Sequence, residues 1–164
     1  MEYFALPLDQ KGTRRWLIYY TNDQDGFATD KDGKILIFSS PDAAEVHAKK
    51  KKWKLKTGQE AFDLDFVQTW AERADRANLD CPALYRAWNL LGDVANSLGQ
   101  GPSFPGYSDE GMRIHEELFW GCNLPGMAPA DHPYIARLSE DQGHFLSDVF
   151  QCGLELLQTN SKQV

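Results

Sequence analysis

Apolar and polar positions follow a strand-like pattern in the first third of the chain and a helical one afterwards. EYFALPL, RWLIYYT and KILIFSS are short runs of apolar, aromatic and β-branched residues, which predicts strands. The clusters NDQDG and DKDG separate the second run from the third and carry turn chemistry, so the runs are expected to form an antiparallel meander. Ser40, Pro41 and Asp42 supply a capping hydroxyl, a proline for the first helical turn and an acid at the helix's positive end, predicting a helix over 41–52. Lys49, Lys50, Lys51, Lys52, Lys54 and Lys56 follow, ending at Thr57-Gly58. AFDLDF then alternates Phe62, Leu64 and Phe66 with acids, as a last short strand or the start of a helix would.

From Phe66 onward, Val67, Trp70, Ala74 and Ala77 share a helical face. Pro82 opens a second helix in which Leu84, Ala87, Trp88, Leu91, Val94, Ala95 and Leu98 form an apolar stripe, with Arg86, Asn89, Asp93 and Asn96 opposite and a stop at Gly99. GQGPSFPG reads as a long loop. Ser108 caps a third helix that is expected to end near Trp120, with Gly121 suited to the left-handed position beyond the end. Phe119 and Trp120 are expected to pack that end into the core, and Asn123, Pro125 and Pro129 to hold an irregular exit. Ser139 with Gln142 forms a capping box for a last helix whose core face is Phe145, Leu146, Val149, Gly153, Leu156 and Leu157. The predicted architecture is a single α+β domain over 1–164. In it an N-terminal antiparallel β-sheet meander with one helix (1–66) packs against a C-terminal layer of about four helices (67–164).

The chain has 164 residues, 42% hydrophobic and 25% charged, enough to bury one sizeable core and unlike a disordered composition. MEYFALPLDQKG lacks the basic and apolar regions of a secretory signal, and no apolar run reaches membrane-spanning length, so a cytoplasmic protein is expected. The net charge of −7 is uneven: residues 1–56 carry +3 and residues 57–164 carry −10. An acidic surface repels nucleic acid and anionic membrane and steers basic proteins toward itself, so the expected partner is a basic macromolecule. A monomer is the favoured state.

Candidate chemistry is sparse. TNDQDGFATDKD imitates a calcium loop through Asp23, Asp25, Gly26 and Asp32, but its first ligand is wrong, its flanks read as strands and its last position is not Glu; an acidic β-turn is the better reading. His115-Glu116 begins like a zinc-protease helix, yet Phe119 stands where the second His belongs. His47, His132 and His144 read as surface or cap residues. Cys81, Cys122 and Cys152 are far apart without a CxxC pair and read as buried free thiols. No metal or other cofactor is therefore expected. The lysine cluster reads as a solvated helix end. Asp63, Asp65, Glu72 and Asp75, and later Asp109, Glu110, Glu116 and Glu117, are the acidic candidates for partner binding.

The passages DGKILIFSSPDAA, FDLDFVQTW, YRAWNLLGDVANSLG and HEELFWGCNLPGMAP, followed by a C-terminal amphipathic helix, resemble small bacterial proteins encoded beside toxins. These are the immunity proteins of contact-dependent growth inhibition and related polymorphic toxin systems. The similarity covers nearly the whole chain, and its most specific elements are Trp88-Asn89 with Asp93, and the Leu118 to Pro125 run. The resemblance implies binding without catalysis: a cognate toxin, here expected to be a basic nuclease, whose active site is covered. Two other readings stay open. One is a small-ligand or regulatory module built on Trp16, Tyr19, Tyr20 and Trp53. The other is a hydrolase using Cys122 with His115, His132 or His144 and Asn123.

Overall fold

The computed structural model describes residues 1–127, 129 and 131–164; Ala128, which falls in the run HEELFWGCNLPGMAP, lies outside the described residues. The first two runs form β1 (Glu2–Gln10) and β2 (Thr13–Thr21). Their tight hairpin places Lys11 and Gly12 at φ of 49° and 70°, the positive-φ geometry that matches the strands' own twist. The short β3 (Gly26–Phe27) and the third run, β4 (Ile35–Phe38), both pair with β2, and all these pairings are antiparallel, as the meander predicts.

Three further short strands join in parallel: β5 (Leu55–Lys56) and β6 (Phe62–Asp63) along β1, and β7 (Ser161–Gln163) along β4. The sheet is therefore mixed, with the order β5-β1-β2-β4-β7. β5 and β7 are each reached through helix, and such crossovers deliver parallel neighbours where a hairpin cannot, while β6 follows β5 by a short loop along the same strand β1.

Between β4 and β5 runs α1 (Pro41–Lys50), whose N-cap Ser40 Oγ accepts the Ala43 N–H at 3.1 Å. It stops before Lys52, which sits at φ 60°. The sheet is covered on both faces, which explains why its runs are apolar at successive positions. Ile18, Leu36 and Phe38 meet Ala44 and Ala48 of α1, while Leu6, Leu8, Leu17, Phe27 and Ile35 face the main core.

That core is closed by α2 (Leu64–Arg73), α3 (Cys81–Ser97), α4 (Asp109–Gly121) and α5 (Glu140–Thr159), the expected four-helix layer. AFDLDF supplies both of its expected readings, β6 and then the start of α2. The capping box of α5 is present: Gln142 N–H donates to Ser139 Oγ at 3.1 Å, and Ser139 N–H to Gln142 Oε1 at 3.0 Å. No helix among the described residues is long and apolar enough to cross a membrane.

Three expectations need correction. Ala74 and Ala77 do not extend the face of α2, because Ala74 is left-handed (φ 48°) and Asp75 then accepts the Ala77 N–H at 3.2 Å. That local carboxylate bond competes with continued helix. Gly121 stays inside α4, and the positive-φ residue is Asn123 (φ 47°). Glycine is required at 121 by close packing instead, since a Cβ there would collide with Cys81 Sγ and lie 2.8 Å from Ala136 Cβ. Trp120 is 39% exposed, whereas Ile114 and Leu118 are fully buried. At about 100° per residue, a position two beyond Leu118 falls on the opposite side of the helix. The loop GQGPSFPG is folded as two 3-10 turns, Gly101–Ser103 and Pro105–Tyr107, around buried Phe104.

Candidate functional site

Helix α3 owes its sharp start to Asp80, whose carboxylate accepts the Ala83 N–H at 3.1 Å, and to Pro82 in its first turn. Its apolar stripe enters the core. Asn89, Asp93 and Ser97, spaced by four, turn instead toward the edge where β2 meets β3. Ser97 Oγ accepts the Phe27 N–H at 2.8 Å and donates to the Asp93 carbonyl at 2.6 Å, tying the strand to the helix. Gly26 permits this approach, because a Cβ there would stand 2.7 Å from Ser97 Oγ.

The junction gathers a polar group that sequence patterning treats as the solvated side of a helix. Tyr19 Oη lies 3.0 Å from Asp25 Oδ2 and 3.1 Å from Asp93 Oδ2. Asp25 Oδ1 accepts the Asn22 N–H at 3.1 Å, so the acidic turn once compared with a calcium loop aims its central acid into this junction. Burial pushes the Asp93 carboxyl up to about 6, with the Asp25 charge adding to it and the Tyr19 hydrogen bond opposing. Burial, then the two carboxylates, holds Tyr19 far above its ordinary range, so its hydroxyl stays protonated.

Across the cleft, His115 Nε2 lies 3.0 Å from Asn89 Oδ1, its ring packed 4.7 Å from Tyr85 and 5.7 Å from Trp88. Burial lowers the His115 pKa and favours the neutral ring. Asn96 Nδ2 donates to Tyr107 Oη at 2.9 Å. These groups border a recess of about 400 Å³ with Met112 at its edge. A second recess of about 200 Å³, lined by Phe4, Leu6, Leu90 and Arg86, shares Tyr19, Asn89 and Asp93 with it.

The acidic candidates fall on two other surfaces. Asp63 caps α2 by accepting the Phe66 N–H at 3.0 Å, Asp65 accepts the Lys11 N–H at 2.8 Å, and Glu72 accepts from the Gln68 amide at 2.8 Å. With the Asp75 turn bond, each of these has a local structural role. On α4, Asp109 stands exposed in the first turn and Glu110 pairs with Arg113 at 3.2 Å. Glu117 accepts both the Tyr134 hydroxyl and the Arg137 N–H at 2.7 Å. Glu116 and Glu117 border a depression of about 490 Å³ with Arg113, Trp120 and Tyr134. Asn123 holds the returning strap: its Oδ1 accepts the Tyr134 N–H at 2.6 Å and its Nδ2 donates to the Tyr134 carbonyl at 2.9 Å. Trp120 and Tyr134 pack with ring centroids 6.4 Å apart, each 39% exposed, beside exposed Ile135 and Leu124. The α2 and α4 sets thus line separate recesses rather than one acidic face.

The other candidates are scattered. Cys122 donates to the Leu118 carbonyl of its own helix at 3.2 Å, Asn123 is engaged by Tyr134, and His115 by Asn89. Burial raises the pKa of all three thiols. His132 and His144 are exposed beside Asp131 and Glu140. His47, expected on the surface, is half-buried between Phe38 and Trp53, at 5.3 and 6.1 Å between centroids. Trp16 and Trp53 pack on the α1 side of the sheet, opposite Tyr19, so the four aromatics do not make one face.

Tyr107 and Met112 have no counterpart among the expected site residues, and Asp25 is expected only as part of an acidic turn. The available signal was Trp88-Asn89 with Asp93, the most specific elements of the resemblance, which patterning divides between the apolar stripe and the face opposite it. No family model and no curated protein matches the chain. The fold is similar to that of the C-terminal domain of SatS, whose crystal structure was determined in complex with bromine. The TM-score is 0.61 at 10% identity, covering 99% of this chain and 94% of that one. At that identity the likeness concerns the fold alone.

Proposed function

We propose that this protein is an immunity protein, a stoichiometric inhibitor that covers a basic toxin encoded beside it. The observation that carries the reading is the α4 surface, where exposed Trp120 and Tyr134 are bordered by Glu116 and Glu117. Aromatic anchors within a charged rim are the usual makings of a protein-binding hot spot. The −10 charge of residues 57–164 speeds encounter with a cation-rich partner and stands in for the phosphates of a nucleic-acid substrate. Inhibition is by occupation, with no group on this chain turning over.

The test is co-expression with the neighbouring toxin, followed by titration of the purified pair. Protection of growth and one-to-one binding are expected. Trp120→Ala should weaken the complex by about 2 kcal/mol, roughly thirtyfold in Kd. Glu116→Lys with Glu117→Lys should slow association and flatten its salt dependence. A toxin that stays fully active in the presence of the folded protein would sink the reading.

A further inference from the structure

We propose that the cleft between α3 and β2 is a binding site for a guanidinium group, seated between Asp25 and Asp93 against Tyr107. This is a second site, separate from the α4 surface, and it stands or falls without the immunity reading.

Tyr19 Oη is within hydrogen-bonding distance of one oxygen of Asp25 and one of Asp93, at 3.0 and 3.1 Å, and a hydroxyl carries a single hydrogen. It can donate to only one of them at a time. The other carboxylate then faces an oxygen lone pair, and the two acids repel each other across a partly buried space. Among the described residues no ion pair reaches Asp25 or Asp93. Arg86, which lines the adjoining recess, is engaged elsewhere: it pairs with the Glu60 carboxylate at 3.1 Å and donates to the carbonyls of Glu60 at 2.6 Å and Ala61 at 3.3 Å. His115, which also faces the cleft, is held toward its neutral form by burial. The cleft therefore has an excess of acceptors and no cation of its own.

The walls narrow the choice of ligand. The recess of about 400 Å³ is bordered by exposed Tyr107 and Met112 and by half-buried His115, with buried Trp88 behind them. Aromatic faces attract a cation, and a planar guanidinium both stacks on them and offers donors on more than one edge. Those edges can serve Asp25 and Asp93 together while Tyr19 keeps its bond to one of them. A compact ammonium cannot span both acids while stacking. A neutral ligand would leave the charge excess uncompensated. The same chemistry is offered by a free alkylguanidine or by an arginine side chain of another protein.

The test uses the intact protein with agmatine as the probe, followed by tyrosine and tryptophan signals in NMR at low salt. Saturable one-to-one binding is expected at about pH 8, weakening at least tenfold by about pH 5 as Asp93 takes up a proton. Asp93→Asn and Asp25→Asn should each weaken binding about tenfold or more without loss of the folded spectrum. N-acetylarginine amide is the second arm. If it binds as well as agmatine, the pocket accepts an arginine side chain; if agmatine alone binds, it takes a free alkylguanidine, and either result supports the site. Absence of saturable agmatine binding to the folded protein, or binding equal in wild type and Asp93→Asn, overturns it. Glu116→Lys, on the other surface, should leave agmatine binding unchanged, so failure here and failure of toxin binding are told apart.

Discussion

Helix α3 is held along two seams that obey different rules. On one, against α5, Leu91 and Val94 meet Leu146, Phe150 and Leu154, and Gly153 lets the helices close so tightly that a Cβ there would stand 2.6 Å from Leu91 Cβ. On the other, against β2 and β3, the same helix presents Asp93 and Ser97 to Tyr19 and the Phe27 backbone. The apolar seam is non-directional, and its strength grows with the area it hides from water. The polar seam depends on individual protons, and one of its carboxyls is held away from its ordinary pKa. A helix can thus carry stability on one side and unresolved electrostatics on the other, and only the second side is suited to being changed by a ligand.

The apolar seam should respond most strongly to truncation. Leu91→Ala should cost about 2–5 kcal/mol in denaturant unfolding, because the tight contact with α5 leaves little room for collapse into the void. A loss below about 1 kcal/mol would show that this seam does not hold the helix. At the polar seam, Ser97→Ala should cost about 1–3 kcal/mol by leaving the Phe27 N–H without its acceptor. It should also speed hydrogen exchange at that amide selectively. The smallest effect has the opposite sign. The folded pKa of Asp93 is about 6 against an ordinary 3.8, so the folded state holds a proton there that the unfolded state has released, and this group's contribution falls as pH rises through that window. Asp93→Asn should therefore stabilise the protein near neutral pH by on the order of 1 kcal/mol and flatten that decline. A thermal scan across pH that is unchanged in the variant would remove the electrostatic half of the comparison.

The apolar seam was legible in the residues because a 3.6 period repeats whatever the partner is: Leu84, Ala87, Trp88, Leu91, Val94 and Ala95 are all buried as the stripe predicts. The capping box of α5 and the Ser108 cap of α4 were legible because they act over three residues. The cleft was not, since Tyr19, Asp25 and Asp93 are assembled from a strand, a turn and a helix, and Tyr19 and Asp93 lie 74 positions apart. Local period marks Asp93 only as non-core, which is equally true of an exposed acid. Strands β5 and β7 escaped for a related reason: LK and SKQ are too short to carry any alternation, and their parallel pairing, like that of the expected strand β6, is decided by where the chain is delivered. Trp120 was misplaced because hydrophobicity was read without its angular position on α4.

The pairing of β7 with β4 also bears on how the molecule is made. Ile35 N–H bonds the Asn160 carbonyl at 2.8 Å, and Lys34 reaches Asn160 Oδ1 at 3.1 Å across a separation of 126 residues. During synthesis the outer edge of β4 leaves the ribosome long before the strand that will cover it exists. Until then it presents unpaired N–H and C=O groups to any extended chain nearby, including a second nascent copy. Translation speed through the helical layer therefore sets how long that edge stays open, and slow translation should raise the yield of edge-to-edge aggregates without any change in the finished fold.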